Sequence, residues 1–172
     1  MGLQQQLGFT AKPGNAAQRG VQRVAQTKQG SWLLQRTLYR LDRPVYGWTG
    51  GRIIFSEVVA GIPVIMLTAT GAKTGLPRTM PVLGIPLNED LVLMGTNFAQ
   101  PGSPAWALNL EANPRAHVDW HGHQVDVVAR AATPEEREAA WTAAIRFYSG
   151  FAKYRERITE RPVRIFILEP AG

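Results

Sequence analysis

From Ile62 to Thr70 the chain runs through an apolar, β-branched segment bracketed by Gly61 and Gly71, a pattern that predicts a buried strand. Arg78 to Leu87 and Leu91 to Asn97 predict two more, and Asn88-Glu89-Asp90 between them has the turn chemistry of a hairpin. Arg115 to His121 and His123 to Ala131 alternate about a His121-Gly122 turn and predict a second hairpin, with Val163 to Leu168 as a closing strand. Helical spacing is confined to fewer stretches. Ser31 caps a helix carrying Leu34, Leu38 and Leu41 that ends at Asp42-Arg43-Pro44, and Tyr46 to Gly51 reads as an ordered loop. Ser103-Pro104 opens a helix that Pro114 stops after Asn113. Thr133-Pro134-Glu135-Glu136 is a capping box for a helix with Trp141, Ile145 and Tyr148 on one face, and a further helical piece spans Phe151 to Ile158.

Six antiparallel strands paired as local hairpins predict a mainly β fold with flanking helices, a split β-barrel of the FMN-binding kind, rather than a doubly wound sheet. Residues 1–30 mix Gln, Gly, Lys and Arg with few large apolar side chains, so they read as a basic, mobile arm with a short helix around Val21 to Ala25. Residues 31–172 then form a single barrel domain, consistent with 172 residues of which 45% are apolar.

Charge adds a polarity to this picture. No Asp or Glu precedes Asp42, whereas Lys12, Arg19, Arg23, Lys28, Arg36 and Arg40 do, so the net charge of +6 resides entirely in the first 41 residues. The balanced remainder argues against nucleic acid as a partner. The arm suits an anionic membrane surface or is a solvated tail. No stretch approaches the roughly 20 apolar residues of a membrane span, and the N-terminus lacks an apolar signal core, so the expected location is the cytoplasm, with the inner face of the cell membrane as a variant. The absence of cysteine removes disulfides, thiol catalysis and thiolate metal sites together.

Candidate chemistry concentrates between the first two strands. Thr70 to Arg78 places two glycines, two cations and two hydroxyls in one loop, where Lys73 supplies a point charge, Arg78 a bidentate fork, and Thr74 and Gly75 further donors for an anion. The spacing is not that of a P-loop, and an ordinary surface hairpin loop is the bland alternative. Gly95-Thr96-Asn97 stands at a strand end, and Trp106 and Asn109 share a helix face beyond it. Met80, Leu83 and Met94 offer an apolar floor for a planar ring or simply fill the barrel. Tyr148, Phe151 and Tyr154 recur every three residues, as a pocket roof or a packing stripe would; a tyrosine hydroxyl there could deliver a proton while a hydride arrives. His117, Asp119, His121 and His123 alternate, but the turn interrupts them and an exposed polar strand face accounts for them better, so no metal is expected. Hydrolase elbows and dinucleotide fingerprints are missing.

Taken together, Thr-Gly-Ala-Lys-Thr-Gly-Leu-Pro-Arg-Thr-Met-Pro at 70–81, Pro-Ala-Trp-Ala-Leu-Asn-Leu-Glu-Ala-Asn-Pro at 104–114, the Ala-Thr-Pro-Glu-Glu-Arg helix start and the terminal Pro-Val-Arg-Ile-Phe-Ile-Leu-Glu-Pro resemble the deazaflavin-dependent nitroreductase family of actinobacteria. The resemblance spans residues 60–170. It implies a split β-barrel enzyme that uses reduced coenzyme F-420, an 8-hydroxy-5-deazaflavin with an anionic tail, with FMN as the alternative cofactor. By position, Lys73, Thr74, Gly75 and Arg78 would hold the tail, Trp106 and Asn109 would border the groove, and backbone around Pro81, Leu83, Met94, Thr96 and Asn97 would fix the ring. Tyr148 and Tyr154 would meet the acceptor, a quinone, enone or nitroaromatic. A non-catalytic deazaflavin-binding protein remains the other reading. The family's pattern has cations where this chain has Ala72 and Asn97, which implies weaker tail binding or its shift to other residues, and tyrosines where it has Leu83 and Phe151, whose loss argues against activation of nitro prodrugs. Homodimers are common among barrels of this type.

Overall fold

The computed structural model describes residues 1–12, 14–25, 27, 40–42, 44–50 and 53–172. Seven strands form one antiparallel sheet: β1 (Val64–Thr70), β2 (Pro77–Leu83), β3 (Ile85–Leu87), β4 (Asp90–Met94), β5 (Arg115–Trp120), β6 (His123–Ala131) and β7 (Ile165–Pro170), in the order β2-β1-β5-β6-β7-β4-β3. The two edge strands, β2 and β3, are separated in sequence by Gly84 alone, so the sheet must curl until its edges meet. This is the split barrel the hairpin pattern predicts. The expected single strand from Arg78 to Leu87 exists but changes partner midway: residues up to Leu83 pair with β1, and from Ile85 onward with β4. A side chain at Gly84 would press on Ile65 at 3.1 Å, which makes it a natural corner.

Alternation along the strands sorts two cores. Ile65, Leu67 and Ala69 of β1, Leu91 and Leu93 of β4, Val127 and Ala129 of β6, and Phe166 and Leu168 of β7 fill the barrel interior. Their odd-and-even neighbours Ile85, Val92, Met94, Ile165 and Ile167 face outward onto two helices, Pro134–Phe147 and Gly150–Arg157. The capping box forms as read, with Glu136 N–H donating to Thr133 Oγ1 and Thr133 N–H to the Glu136 carboxylate. Arg130 of β6 grips Glu136 bidentately at 2.7 Å and Glu169 of β7 at 2.6 Å, which fixes that helix start onto the sheet. The His121-Gly122 turn has both residues at positive φ, as a two-residue hairpin of this twist requires.

Several expectations are corrected. The start of the chain is not a free arm: Leu3–Leu7 is helical, Leu3, Leu7 and Phe9 lie in the barrel core, and Ala16–Ala25 forms a second helix. Two leucines one helical turn apart suffice to dock five residues, too few for a periodicity to stand out. The helix expected from Ser31 falls largely on residues 31–39, outside those described; 40–42 and 44–48 are helical, so Tyr46 lies in a helix and not in the expected loop, and Pro44 stands at the start of the 44–48 stretch. The strand from Leu91 stops at Met94 because Asn97, Phe98 and Ala99 turn left-handed, with φ between 50° and 57°. Ser103 does not cap the next helix, Ala105–Ala112, whose N-cap is Pro104; its hydroxyl instead accepts from Arg164 at 2.6 Å.

Candidate functional site

Strand direction and register place most of the predicted residues at one end of the barrel. Thr70 closes β1 opposite Pro77 of β2, and Met94 closes β4 opposite Ile165 of β7. The loop 71–76 and the turn 95–99 therefore leave the barrel at the same end, where the helix Ala105–Ala112 also packs. The opposite end, marked by the Asn88–Asp90 turn, is closed by the N-terminal helix: Gln4 Nε2 donates to Asn88 O at 3.0 Å and Asp90 O at 2.7 Å.

The 71–76 loop is built by its own backbone. Gly75 adopts φ +66°, Gly75 N–H and Thr74 N–H donate to Gly71 O at 2.8 and 3.2 Å, and Gly71 N–H donates to Leu76 O at 2.9 Å. A Cβ at Gly71 would lie 2.7 Å from Thr74 Oγ1, so the glycine is needed for the turn to close. Ala72 N–H is taken by Asn109 Oδ1 at 2.9 Å, and Leu76 N–H leans on Thr74 Oγ1 at 3.4 Å. The expectation that the glycine-bracketed backbone here donates to an anion is thereby corrected, since the amides of 71, 72 and 74–76 are taken within the loop or by Asn109. What it presents outward is side chains: Lys73 and Arg78 are exposed, and neither has a carboxylate partner among the described residues. A frame held this firmly, carrying two unpaired cations, fits a multiply charged anion.

Asn109, buried, and Trp106, edge-on to Phe166 at 6.2 Å, sit on the Ala105–Ala112 helix as their spacing predicts. That helix bridges the two loops. It meets 71–76 through Asn109, and on its other side a Cβ at Gly95 would touch Ala107 at 3.5 Å. Thr96 is buried beside it, whereas Asn97 turns its amide to Gly102 O at 3.3 Å. Leu76, Phe98 and Leu108, on the loop, the turn and the helix, remain exposed although large and apolar.

Leu83, Met94, Tyr148, Phe151 and Tyr154 are brought into the outer core together, with Pro81 on β2 nearby in sequence. The three rings of Tyr148, Phe151 and Tyr154 meet pairwise edge-on, centroids 5.8–5.9 Å apart, and the two hydroxyls lie 3.4 Å from each other. Both tyrosines are buried. Burial and the neighbouring Tyr154 push the Tyr148 phenol well above its ordinary value, so it stays protonated and able to donate. The polar array of β5 and β6 divides among separate partners: His117 pairs with Asp126 at 2.9 Å, His121 with Glu57 at 2.9 Å, and Asp119 accepts from Gly122 N–H and Gln124. Among the described residues no group of three metal-ligating side chains converges.

Two residues that sequence patterning did not single out complete this end. Arg161 donates to Gly95 O at 3.1 Å and Thr96 O at 3.0 Å, and Arg164 pairs with Glu111 at 3.0 Å while its carbonyl accepts from Gly95 N–H at 2.8 Å. Their only sequence signal is an Arg-Pro-Val-Arg run entering the last strand.

Comparison with known proteins bears on the fold and the family. An F420H(2)-dependent quinone reductase of Mycobacterium tuberculosis is 28% identical over 134 residues, covering 76% of this chain and 89% of the relative. A solved F420-H2 dependent reductase superposes with a TM-score of 0.57 at 32% identity over 62% of this chain and 94% of its own. A second solved structure, described as a domain-swapped dimer, gives 0.60 at 28% identity over 83% and 100%. The family model described as F420H(2)-dependent quinone reductase matches residues 38–170, and the chain belongs to that family.

Proposed function

We propose that the chain binds reduced coenzyme F-420 through its anionic tail at loop 71–76 and catalyses its oxidation by a quinone. The observation that carries the reading is a pair of exposed cations without a carboxylate partner among the described residues, Lys73 on loop 71–76 and Arg78 at the start of β2, the loop's other amides being taken and its shape fixed by Asn109. When bound, the reduced deazaflavin supplies a hydride, and the quinone takes it with one proton to become a hydroquinone. Lys73, Thr74 and Arg78 bind through their side chains, and Gly75 at φ +66° shapes the turn that presents them; Trp106 and Asn109 shape the groove; the backbone from Met94 to Thr96, with Pro81 and Leu83, bounds the ring. The exposed Leu76, Phe98 and Leu108 suit an apolar acceptor. Tyr148 holds a phenolic proton 3.4 Å from Tyr154, and that pair is the proton source within the chain. Positioning and exclusion of water are the protein's main contributions, because the coenzyme carries the redox step.

Titration with deazaflavin, followed by quenching of its fluorescence, tests the reading, with FMN as the competing ligand. Lys73→Ala and Arg78→Ala should each weaken deazaflavin binding about tenfold or more, the usual worth of a charge-assisted hydrogen bond. Unchanged affinity in both variants, or preference for FMN, overturns it. Two partner assignments extend the reading. Exposed Trp48, Ile53 and Val58, with Arg40 close in sequence and Arg19 and Arg23 on the Ala16–Ala25 helix that packs against Phe55–Ala60, support peripheral contact with an anionic membrane, where a lipid-soluble quinone would be met. Co-sedimentation with anionic vesicles that vanishes at high salt checks it. A homodimer is supported by the domain-swapped relative, and sedimentation velocity decides it.

A further inference from the structure

Arg161 occupies an unusual electrostatic position. Its guanidinium spans the carbonyls of Gly95 and Thr96, at 3.1 and 3.0 Å, at the barrel end that carries loop 71–76. A guanidinium has five N–H donors, and these two contacts leave the others over. Arg130 and Arg164 are neutralised by carboxylates, Glu136 with Glu169 and Glu111 respectively, whereas Arg137 meets one carbonyl, Val163 O, and Arg161 two. Arg161 has no carboxylate partner among the described residues, and burial together with Arg164 pulls its proton affinity below the ordinary value. A cation withdrawn from water without a counter-ion is costly unless an anion comes to it. The two carbonyl dipoles offset part of that cost. They also aim the side chain, because carbonyls one residue apart accept from the guanidinium edge and fix its plane.

We infer that Arg161 is an anion-binding residue of this site, seated on the Gly95 and Thr96 carbonyls so that its remaining donors meet an anionic oxygen carried by the coenzyme or by the hydroquinone as it forms. The inference rests on the functional reading above, and it deepens it by adding a third cation, held at the 95–96 turn rather than on loop 71–76. Arg137 donates to Val163 O at 2.9 Å, two residues beyond Arg161, so the guanidinium extends from a segment braced on that side.

The charge and the bracing are separable by substitution. Arg161→Lys keeps the charge but cannot bridge both carbonyls in one plane, whereas Arg161→Gln keeps a donor and loses the charge. Deazaflavin affinity is read by fluorescence quenching without acceptor, then kcat and KM with a short-chain naphthoquinone, with thermal midpoints as the fold control. Arg161→Gln should lose about tenfold or more in deazaflavin affinity if the coenzyme carries the oxygen, or the same factor in kcat at unchanged affinity if the hydroquinone does. Arg161→Lys should retain most of either. Loss in Lys equal to that in Gln, or full affinity and turnover in a folded Gln variant, overturns the inference. Should the Gln variant fail to fold, the comparison rests on Arg161→Lys: affinity near wild type with the same salt dependence supports it, and affinity lost outright overturns it. Wild-type protein that leaves deazaflavin fluorescence unquenched overturns the functional reading itself, a result distinct from binding wild type with indifferent variants.

Discussion

Gly150 carries more structural weight than its place at a helix start suggests. The Tyr148 ring folds back over it, and a Cβ at position 150 would overlap both the ring and its hydroxyl. Gly150→Ala must therefore move Tyr148 out of its edge-on contacts with Phe151 and Tyr154, and overpacking of this kind costs about 1–3 kcal/mol. A urea midpoint lowered accordingly, with altered near-ultraviolet tyrosine signal, checks it. Gly20 is the control: nothing lies within 4 Å of its Cβ position inside the Ala16–Ala25 helix, so Gly20→Ala should stabilise by about 0.5–1 kcal/mol. At this scale the sequence is legible in kind but not in contact. The three-residue spacing of Tyr148, Phe151 and Tyr154 states that they share a side, yet only the fold shows that the side is packed. Asn109 was marked by its spacing from Trp106, but its bond to Ala72 joins residues 37 apart, which no local pattern encodes.

Elements announce themselves where an end is chemically marked or a period is long enough. The capping box at Thr133 is such a mark, and Thr133→Ala should cost about 1 kcal/mol of stability in denaturant unfolding. The same helix start gives a pH signature. Arg130, followed by the Thr133 N–H, holds the Glu136 carboxyl down at about 2 from its ordinary 4.5. The folded protein thus binds fewer protons at this group than the unfolded chain, so the stabilisation is complete above pH 4.5 and is lost as pH falls toward about 2. Glu136→Gln should lower the thermal midpoint at neutral pH and flatten its decline through that acid window; an unchanged slope counts against the Arg130 pairing. Shorter elements escaped the pattern. Phe55–Ala60 has six residues, and its start is held by the buried Asp42 carboxylate, which accepts from Ser56 N–H at 2.7 Å across fourteen positions. The break of one strand into β2 and β3 was equally hidden, because alternation continues through Gly84 and only the closing of the sheet reveals the change of partner.

The whole molecule assigns different work to its two ends, and this separation can be measured. Hairpin patterning made the barrel legible, but not what closes it, because the large apolar side chains of the first nine residues, Met1, Leu3, Leu7 and Phe9, are interrupted by three glutamines and two glycines and span too few turns to show a period. Leu3 and Leu7 are fully buried in the interior core, Phe9 stacks on Trp120 at 4.9 Å, and Leu3 N–H reaches Asp90 Oδ1 at 3.2 Å. Were this segment a tail, truncating Leu7 would change stability by less than about 0.5 kcal/mol, the usual range for a surface substitution. Buried as it is, Leu7→Ala should cost about 2–5 kcal/mol, read as a lower urea midpoint at unchanged m-value. The loss should appear in strand and helix signals alike, since Leu7 shares one core with β1, β4, β6 and β7. Deazaflavin affinity of the folded variant should nonetheless stay at the wild-type level. The N-terminal helix meets β4 at Asp90 and the proposed cofactor end begins beyond Met94, so the five-residue strand keeps them roughly 17 Å apart. A variant that unfolds early yet binds normally would establish that one end of the barrel holds the fold together while the other holds the coenzyme; parallel loss of both would mean that the interior core transmits the disturbance along β4 to Thr96.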